Sequence, residues 1–259
     1  MNFDLSLRLR EGAHHSGNWG GLLANPATVL AHALASMIGP RGTIEVDGLR
    51  SPPLPDAVRE ALAGVTIGGE PGDPAIDEDW GEAGLSPAER VFGANTLEVL
   101  AFKAGNPDNP VNAIPARAVA HCQLRFVVGT DARRLAEHVR RHLDRHGFPM
   151  IDVSVVQASA ATRLSPSDPW VRFAVASLER TTGKRVAILP NLGGTLPNDA
   201  FAGILGVPTI WIPHSYPGCL QHAPNEHLLA PLAREGLLMM AGLFWDLGDG
   251  EAARLKRGA

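Results

Sequence analysis

The first residues of the chain alternate between apolar and polar side chains. The apolar positions are Phe3, Leu5, Leu7 and Leu9, and the polar positions between them are Asp4, Ser6, Arg8 and Arg10. Because successive side chains of a β-strand point to opposite faces, a period of two predicts a strand with only one buried face. The chain is therefore expected to open with a half-buried strand and not with a signal peptide.

Five further elements follow this strand. A helix is predicted from Asn25-Pro26 to about Gly39, with an apolar stripe along one face. Strands are predicted at about 97–102 and 116–128, a second helix at 131–146 and a last strand at 151–155. The order β-α-β-β-α-β is that of a ferredoxin-like module. Residues from about 41 to 90, rich in Pro, Gly and Asp, form a long excursion without an assigned function.

The pattern changes after about residue 158. Helices are predicted at 170–181, 197–205 and 226–247, with short apolar strands at 186–189 and 208–212. Short buried strands that alternate with helices indicate part of a parallel α/β sheet. A segment of this length would leave a sheet edge unpaired and apolar helix faces uncovered. The sequence thus predicts an α/β protein in two parts, a ferredoxin-like α+β domain over 1–157 and part of an α/β domain over 158–259.

Composition narrows the class of protein. The 259 residues are 45% hydrophobic and 19% charged, with a net charge of -4, which allows one or two domains with real cores and gives no sign of a nucleic-acid partner. No apolar run reaches the roughly 18 residues that span a bilayer, so no membrane partner is expected. Cys122 and Cys219 are too few for a disulfide framework and are predicted to be reduced, which favours a cytoplasmic protein.

Four short motifs occur in a fixed order along the chain. They are His14-His15-Ser16-Gly17, Pro110-Val111-Asn112-Ala113-Ile114-Pro115 with the following Gln123-Leu124-Arg125-Phe126, the stretch from Pro190 to Phe201, and the stretch from Ile210 to Leu228. Together they resemble the zinc amidohydrolase family of acetylornithine deacetylase, succinyl-diaminopimelate desuccinylase, aminoacylase and carnosinase. The resemblance implies that 1–157 is the lid and dimerisation domain, that 158–259 is the C-terminal part of the catalytic domain, and that the chain forms a homodimer through the lid.

Two loops of the second part carry residues with an implied role. His222 resembles the family's C-terminal zinc ligand, and a loop histidine bonded to the backbone is the alternative. Gly193, Gly194 and Thr195 precede a predicted helix, where glycines let the backbone approach a ligand and free N–H groups bind anions. This loop would hold a substrate carboxylate, although an ordinary strand-to-helix turn explains the same residues equally well.

Three residues of the first part also have an implied role. By resemblance, Asn112 and Arg125 contact the carboxylate end of the substrate, which suits a side-chain amide and an arginine fork. A surface position on the sheet is the alternative for Arg125. His15 would reach into the active site of the other subunit and donate a hydrogen bond to the tetrahedral oxyanion. The alternative is a turn residue, and the adjacent His14 leaves this assignment open by one position.

The family's other catalytic residues have no counterpart in the sequence. They are a His-x-Asp strand, a bridging Asp, an adjacent Glu-Glu pair and a further carboxylate ligand. His142-Leu143-Asp144 spells His-x-Asp, but it falls inside a predicted amphipathic helix, where residues two apart point to different faces. We interpret it as a solvated helix face.

The complete enzyme that the resemblance implies uses two zinc ions to cleave the amide bond of N-acyl amino acids or dipeptides that carry a free carboxylate. This chain alone is expected neither to hold zinc stably nor to be active, because His222 is its only family ligand. The alternative is a non-catalytic dimerisation or ligand-binding module, the remnant of a truncated gene.

Overall fold

The computed structural model describes residues 1–69, 73–194, 196–221 and 223–250. The chain forms two compact units. The first unit comprises Met1–Pro53, Glu78–Leu85 and Ala94–Ala161, and the second comprises Leu54–Asp77, Ser86–Gly93 and Thr162–Ala259. The excursion at 41–90 is therefore shared between the two units.

The strands of the described residues all belong to the first unit. They are β1 (Asn2–Arg8), β2 (His14–His15), β3 (Thr96–Ala104), β4 (Ala113–Ile114), β5 (Arg117–Arg125) and β6 (Asp152–Gln157). The helices are α1 (Ser16–Trp19), α2 (Pro26–Met37), α3 (Asp56–Leu62), α4 (Pro87–Gly93), α5 (Leu135–Arg145), α6 (Pro169–Thr182) and α7 (Ala230–Gly248).

Four strands of the first unit form an antiparallel sheet in the order β3-β5-β1-β6. Its central pair, β1 and β5, is in register from Asn2 opposite Gln123 to Arg8 opposite Arg117. With α2 and α5, the order of the main elements is β-α-β-β-α-β. The predicted mixed α/β fold with a ferredoxin-like first unit is confirmed.

Strand alternation divides the sheet into an apolar and a polar face. The apolar face and helices α2 and α5 enclose one core, whose fully buried side chains include Phe3, Leu5, Leu30, Met37, Leu124, Leu135 and Leu143. The polar face carries the alternate residues, among them Asp4, Ser6 and Arg8 of β1 and Arg117, His121 and Arg125 of β5. The period of two in the first ten residues thus predicted correctly which side of the sheet is covered.

Helix α2 begins where the sequence predicts. The side chain of Asn25 accepts a hydrogen bond from the backbone N–H of Ala27 at 2.9 Å, and Pro26 occupies the first turn. An N-terminal Asn satisfies a donor that has no partner within the helix, and proline there loses no helical bond.

The His142-Leu143-Asp144 segment is solvated only in part. Asp144 is exposed and pairs with Arg140, but His142 is only 2% exposed, so the interpretation as a solvated face is wrong for this histidine. Its Nε2 lies 3.2 Å from Oγ and 2.9 Å from the carbonyl oxygen of Ser36 on α2. Because His142 follows Val139 by three residues, it shares the apolar face of α5.

In the second unit, α3 and α4 pack through Val58, Leu62, Ala88 and Phe92. A reciprocal capping box starts α4: the Ser86 N–H donates to Glu89 Oε2 at 2.8 Å, and the Glu89 N–H donates to Ser86 Oγ at 3.3 Å. The buried Glu89 also pairs with Arg59.

The later part of the second unit departs from the prediction in its strands. The strands expected at 186–189 and 208–212 are not formed, because a strand requires a neighbour to pair with and the described residues provide none for either segment. The helix expected at 197–205 is present over 198–204, where two α-helical residues continue into a π-helix at Ala200–Ile204. Helix α7 begins at Ala230, next to Pro231, which fits only the first turn of a helix. Within the described residues, no helix has both the length and the apolarity to cross a bilayer.

Candidate functional site

The short β2–β4 ladder joins the His15 motif to the Asn112 motif. His14 pairs with Ile114 and His15 with Ala113. The backbone N–H and the hydroxyl of Ser16 both donate to the carbonyl oxygen of Asn112, at 2.9 and 3.1 Å. These contacts build one substructure, residues 14–19 and 112–114, which we call the arm. Two motifs that are far apart in sequence thus belong to one local structure.

The imidazole of His15 caps α1 within the arm. Its Nδ1 accepts a hydrogen bond from the Gly17 N–H at 3.1 Å. A neutral imidazole has one donor and one acceptor nitrogen, so an acceptor at Nδ1 places the proton on Nε2. The side chain is exposed. The Nε2–H of His15 can therefore donate to a group outside the arm.

Gly17 provides the space that this imidazole needs. A Cβ atom on Gly17 would lie 2.7 Å from Cε1 and 3.1 Å from Nδ1 of His15. Any side chain at this position would push the ring away from its cap, because the first distance is shorter than non-bonded carbon atoms tolerate. The His-Ser-Gly sequence thus has a physical reason: one residue caps, one binds Asn112 and one leaves room.

The neighbouring His14 has a different role. Its ring packs edge-on against Trp19 with the ring centroids 6.2 Å apart. Arg10, which sequence reasoning did not single out, ties the base of the arm to the sheet by donating to the carbonyl oxygens of Pro115 at 3.3 Å and Ala24 at 2.7 Å. Its only signal in the sequence is its place just after the first strand. This packing favours His15 over His14 as the functional histidine.

Asn112 and Arg125 lie at opposite ends of β5. Asn112 belongs to the arm that precedes this strand, whereas Arg125 is its last residue, on the polar face of the sheet. From Arg117 to Arg125 alone, eight steps of roughly 3.3 Å give a separation of about 26 Å. One chain therefore does not bring these two side chains to the same carboxylate.

The glycine loop lies in the second unit. A Cβ atom on Gly194 would lie 3.1 and 3.2 Å from ring atoms of Trp211, so close packing alone already favours glycine there. Asn191 anchors the loop by donating from its side chain to the carbonyl oxygen of Phe92 at 2.6 Å. Gly193 is exposed, and Thr195 lies outside the described residues.

His222 also lies outside the described residues, but the backbone on either side of it has a definite form. Leu220 and Asn225 adopt left-handed φ values of 58° and 66°. A non-glycine residue in this region costs on the order of 1–3 kcal/mol, so the surrounding loop must hold it there. The loop closes on itself where the His227 N–H donates to the carbonyl oxygen of Cys219 at 3.0 Å.

The described residues contain no group of three or more His, Cys, Asp or Glu side chains that could hold a metal ion. A catalytic zinc needs about three protein ligands. The residues that the structure describes therefore do not by themselves make up the implied metal centre.

Comparison with known proteins identifies the family. Residues 4–150 match the family described as the peptidase dimerisation domain of the M20 peptidases. The chain belongs to this family. A succinyl-diaminopimelate desuccinylase of Methylobacterium nodulans is 33% identical over 115 residues, which are 44% of this chain and 28% of that protein.

Solved structures show the same fold. The M20 family metallo-carboxypeptidase of Sulfolobus solfataricus superposes with a TM-score of 0.77 at 21% identity, over 93% of this chain and 56% of its own. Human carnosine dipeptidase 1 gives 0.72 at 19% identity, over 96% and 54%. A di-peptidase of Saccharomyces cerevisiae gives 0.77 at 17% identity, again over 96% and 54%. This chain thus spans little more than half of these structures and a smaller share of the desuccinylase.

Proposed function

We propose that this chain supplies the lid and the C-terminal catalytic portion of a metal-dependent amidohydrolase or peptidase. Its substrates would be N-acyl amino acids or dipeptides with a free carboxylate, because the relatives it matches are named as a desuccinylase, a carboxypeptidase and dipeptidases. The observation that carries the proposal is the arm, in which the His15 and Asn112 motifs are hydrogen-bonded into one unit and the exposed imidazole of His15 is held through its Nδ1.

The role proposed for His15 is to donate its Nε2–H to the oxyanion that forms when the amide carbonyl is attacked. An oxyanion donor must be oriented before the reaction, since its value lies in not having to reorganise. The Gly17 N–H fixes the tautomer of His15, and the two bonds from Ser16 fix the backbone next to it. A histidine held in this way suits electrostatic stabilisation better than proton shuttling.

The separation of Asn112 from Arg125 supports a homodimer in which these two residues of one chain act in different active sites. If His15 and Asn112 act in the active site of the partner subunit, Arg125 is left to bind the carboxylate in another site. The edge strands of the lid sheet favour such a dimer, since β3 exposes Leu100 and Phe102 and β6 exposes Val155 and Val156. An exposed apolar edge is a ready surface for pairing with a second chain.

The proposed contribution of the second unit is one zinc ligand, His222, and the Gly193–Thr195 loop, whose backbone would bind the carboxylate. One histidine cannot retain zinc, so the remaining ligands and the general base would come from residues that this chain does not contain. The chain alone would then be inactive. Both cysteines are free and buried, which supports the proposed cytoplasmic location.

The test is hydrolysis of N-acetyl amino acids by the purified chain with added zinc and with a chelator. We expect no chelator-sensitive turnover and well under one zinc per chain after dialysis. The same chain fused to the N-terminal catalytic half of a family member should gain both. Zinc-dependent turnover by the chain alone would contradict the proposed inactivity.

A non-catalytic dimerisation module is the second candidate, and it is favoured by the incomplete ligand set among the described residues. The nucleotide sequence upstream of the Met1 codon distinguishes the two. An in-frame His-x-Asp strand and Glu-Glu pair there would support the enzyme, and a stop codon with neither motif would support the module.

A further inference from the structure

A cleft of about 890 Å³ lies on the polar face of the sheet in the first unit. Its floor is formed where β1 ends, β5 begins and β3 ends, with Arg8, Arg117, Val119 and Lys103 among the lining residues. Its wall is the loop between β3 and β4, and Gly12 and Ala13 complete the rim. The volume is that of a small-molecule site.

The strand register concentrates positive charge at this place. Arg8 lies directly opposite Arg117 on the neighbouring strand, and Lys103 lies opposite Val119, two residues further along the same face. Like charges that face each other across an antiparallel pair destabilise a sheet. The cluster therefore costs stability in the folded chain, and a bound anion would offset that cost.

Little within the described part of the chain neutralises these cations. Arg8 pairs with the highly exposed Glu11, which does not line the cleft. Lys103 and Arg117 make no ion pair or side-chain hydrogen bond with another described residue. The acidic residue in the lining is Asp152, which lies opposite Ser6 on the edge strand β6. Three strand spacings of roughly 4.8 Å place it about 14 Å from Lys103, whereas one spacing across and two residues along place it about 8 Å from Arg8.

We propose that this cleft binds a small dicarboxylate. Two guanidinium groups and an ammonium group on one floor match two carboxylates, and arginine forks bind carboxylates in a bidentate manner. The loop offers a further donor, because the Oδ1 of Asn106 accepts from the Asp108 N–H and so leaves the amide NH₂ of Asn106 unused by that contact.

The cleft is separate from the residues proposed for catalysis. Neither His15 nor Asn112 lines it, although Ala13 and Ala113 connect its rim to the arm. Arg125 lies at the far end of β5. Binding in this cleft therefore does not depend on the proposed function. An anion bound there would lie next to the base of the arm and stabilise it.

The test is calorimetric titration of the full chain with succinate. Succinate should bind, and Arg117→Gln or Lys103→Gln should each weaken the binding by about tenfold or more, the scale of one lost charge-assisted contact. Arg133→Gln, an exposed arginine of the first unit outside the cleft, should leave it unchanged. Arg125→Gln tests the other assignment, since a loss of succinate binding in that variant alone would place succinate at the proposed substrate contact on the same strand.

Two further ligands test which chemical group the cleft recognises. Succinamide, which has the same shape without charge, should not bind, and inorganic phosphate should bind more weakly than succinate. Without an anion, Arg117→Gln should not lower the melting temperature, because it relieves the repulsion with Arg8. The proposal is overturned if succinate does not bind, if phosphate binds better, or if Arg125→Gln and not Arg117→Gln abolishes binding.

Discussion

The two units differ in how far each buries its apolar side chains. In the first, the amphipathic helix α5 places Leu135, Val139 and Leu143 in a core closed by the sheet and α2. In the second, α7 buries only Gly236 among its described residues and leaves Leu237 73% and Trp245 77% exposed. A helix is stable in water when its apolar face has a partner. The first unit therefore encloses a core between its sheet and helices, whereas much of the apolar surface of α7 is not covered by the described residues.

The sharpest test of this contrast is one substitution made in both units. Leu143→Ala removes a fully buried side chain from the first core and should lower the free energy of unfolding by about 2–5 kcal/mol. Leu237→Ala, on α7, should change it by less than about 0.5 kcal/mol, since little contact is lost. Hydrogen exchange across a urea series would measure the difference, with the β5 amides followed in the Leu143→Ala protein and the α7 amides in the Leu237→Ala protein. Equal losses would mean that α7 is buried in solution and that the contrast is wrong.

A second test separates the chemical roles proposed for the two units. In the fusion with a complete catalytic half, His15→Ala should reduce kcat by about 10²-fold or more and leave the zinc content unchanged, the scale of one lost oxyanion donor. His222→Ala should lower zinc content and activity together. His14→Ala is the matched control for His15 and should retain most activity, because the His14 ring packs against Trp19 within the arm.

Mixing experiments show whether His15 acts across the dimer. Heterodimers of the His15→Ala and His222→Ala proteins would contain one site with both an intact metal ligand and an intact histidine from the partner subunit. Partial recovery of activity on mixing is expected. An absence of recovery, with subunit exchange demonstrated separately, would place His15 in its own subunit.

Local patterns predicted the first unit well. The period of two in β1 and the Asn25-Pro26 start of α2 depend on neighbours in sequence, and both are found. His142 was misread because its burial depends on Ser36 of another helix, although its spacing from Val139 already placed it on the apolar face of α5.

The second unit and parts of the site resisted prediction for a related reason. Strands at 186–189 and 208–212 require a pairing partner, which no local pattern supplies. The separation of Asn112 from Arg125 is implicit in the strand predicted at 116–128, whereas the facing pair Arg8 and Arg117 follows only from the register. The motif resemblance found the residues but not their relative positions.

A third test asks which unit forms the dimer. Leu100→Lys on β3 and Val156→Lys on β6 place charges on the two exposed edges of the lid sheet. In a symmetric dimer each charge meets its own copy, so the substitution at the interface edge should weaken association by about tenfold. Trp245→Lys on α7 should leave it unchanged. Sedimentation in which only Trp245→Lys yields monomers would assign the interface to the second unit.

The smallest expected effect is a difference in acid sensitivity. Burial, followed by the charge of His146 stacked 4.1 Å away, lowers the pKa of His142 below its ordinary 6.5. A histidine with a depressed pKa contributes stability that is fully present above about pH 6.5 and is lost as the pH falls towards the lowered value. In the second unit, the hydrogen bond from the Ser86 backbone lowers the pKa of Glu89 below 4.5, so its contribution persists until the pH falls below that value.

The stability of the two units should therefore respond differently to pH between about pH 6.5 and 4.5. Hydrogen exchange corrected for its intrinsic pH dependence should show α5 losing protection at pH 5.5, while α4 keeps the protection it has at pH 7.5. His142→Gln should remove the loss in α5, because an amide can still donate to the Ser36 carbonyl oxygen and does not titrate. His32→Gln, at an exposed position on α2, is the matched control and should not. Simultaneous loss of protection in both helices would mean that the two units unfold as one and that their difference in burial has no thermodynamic consequence.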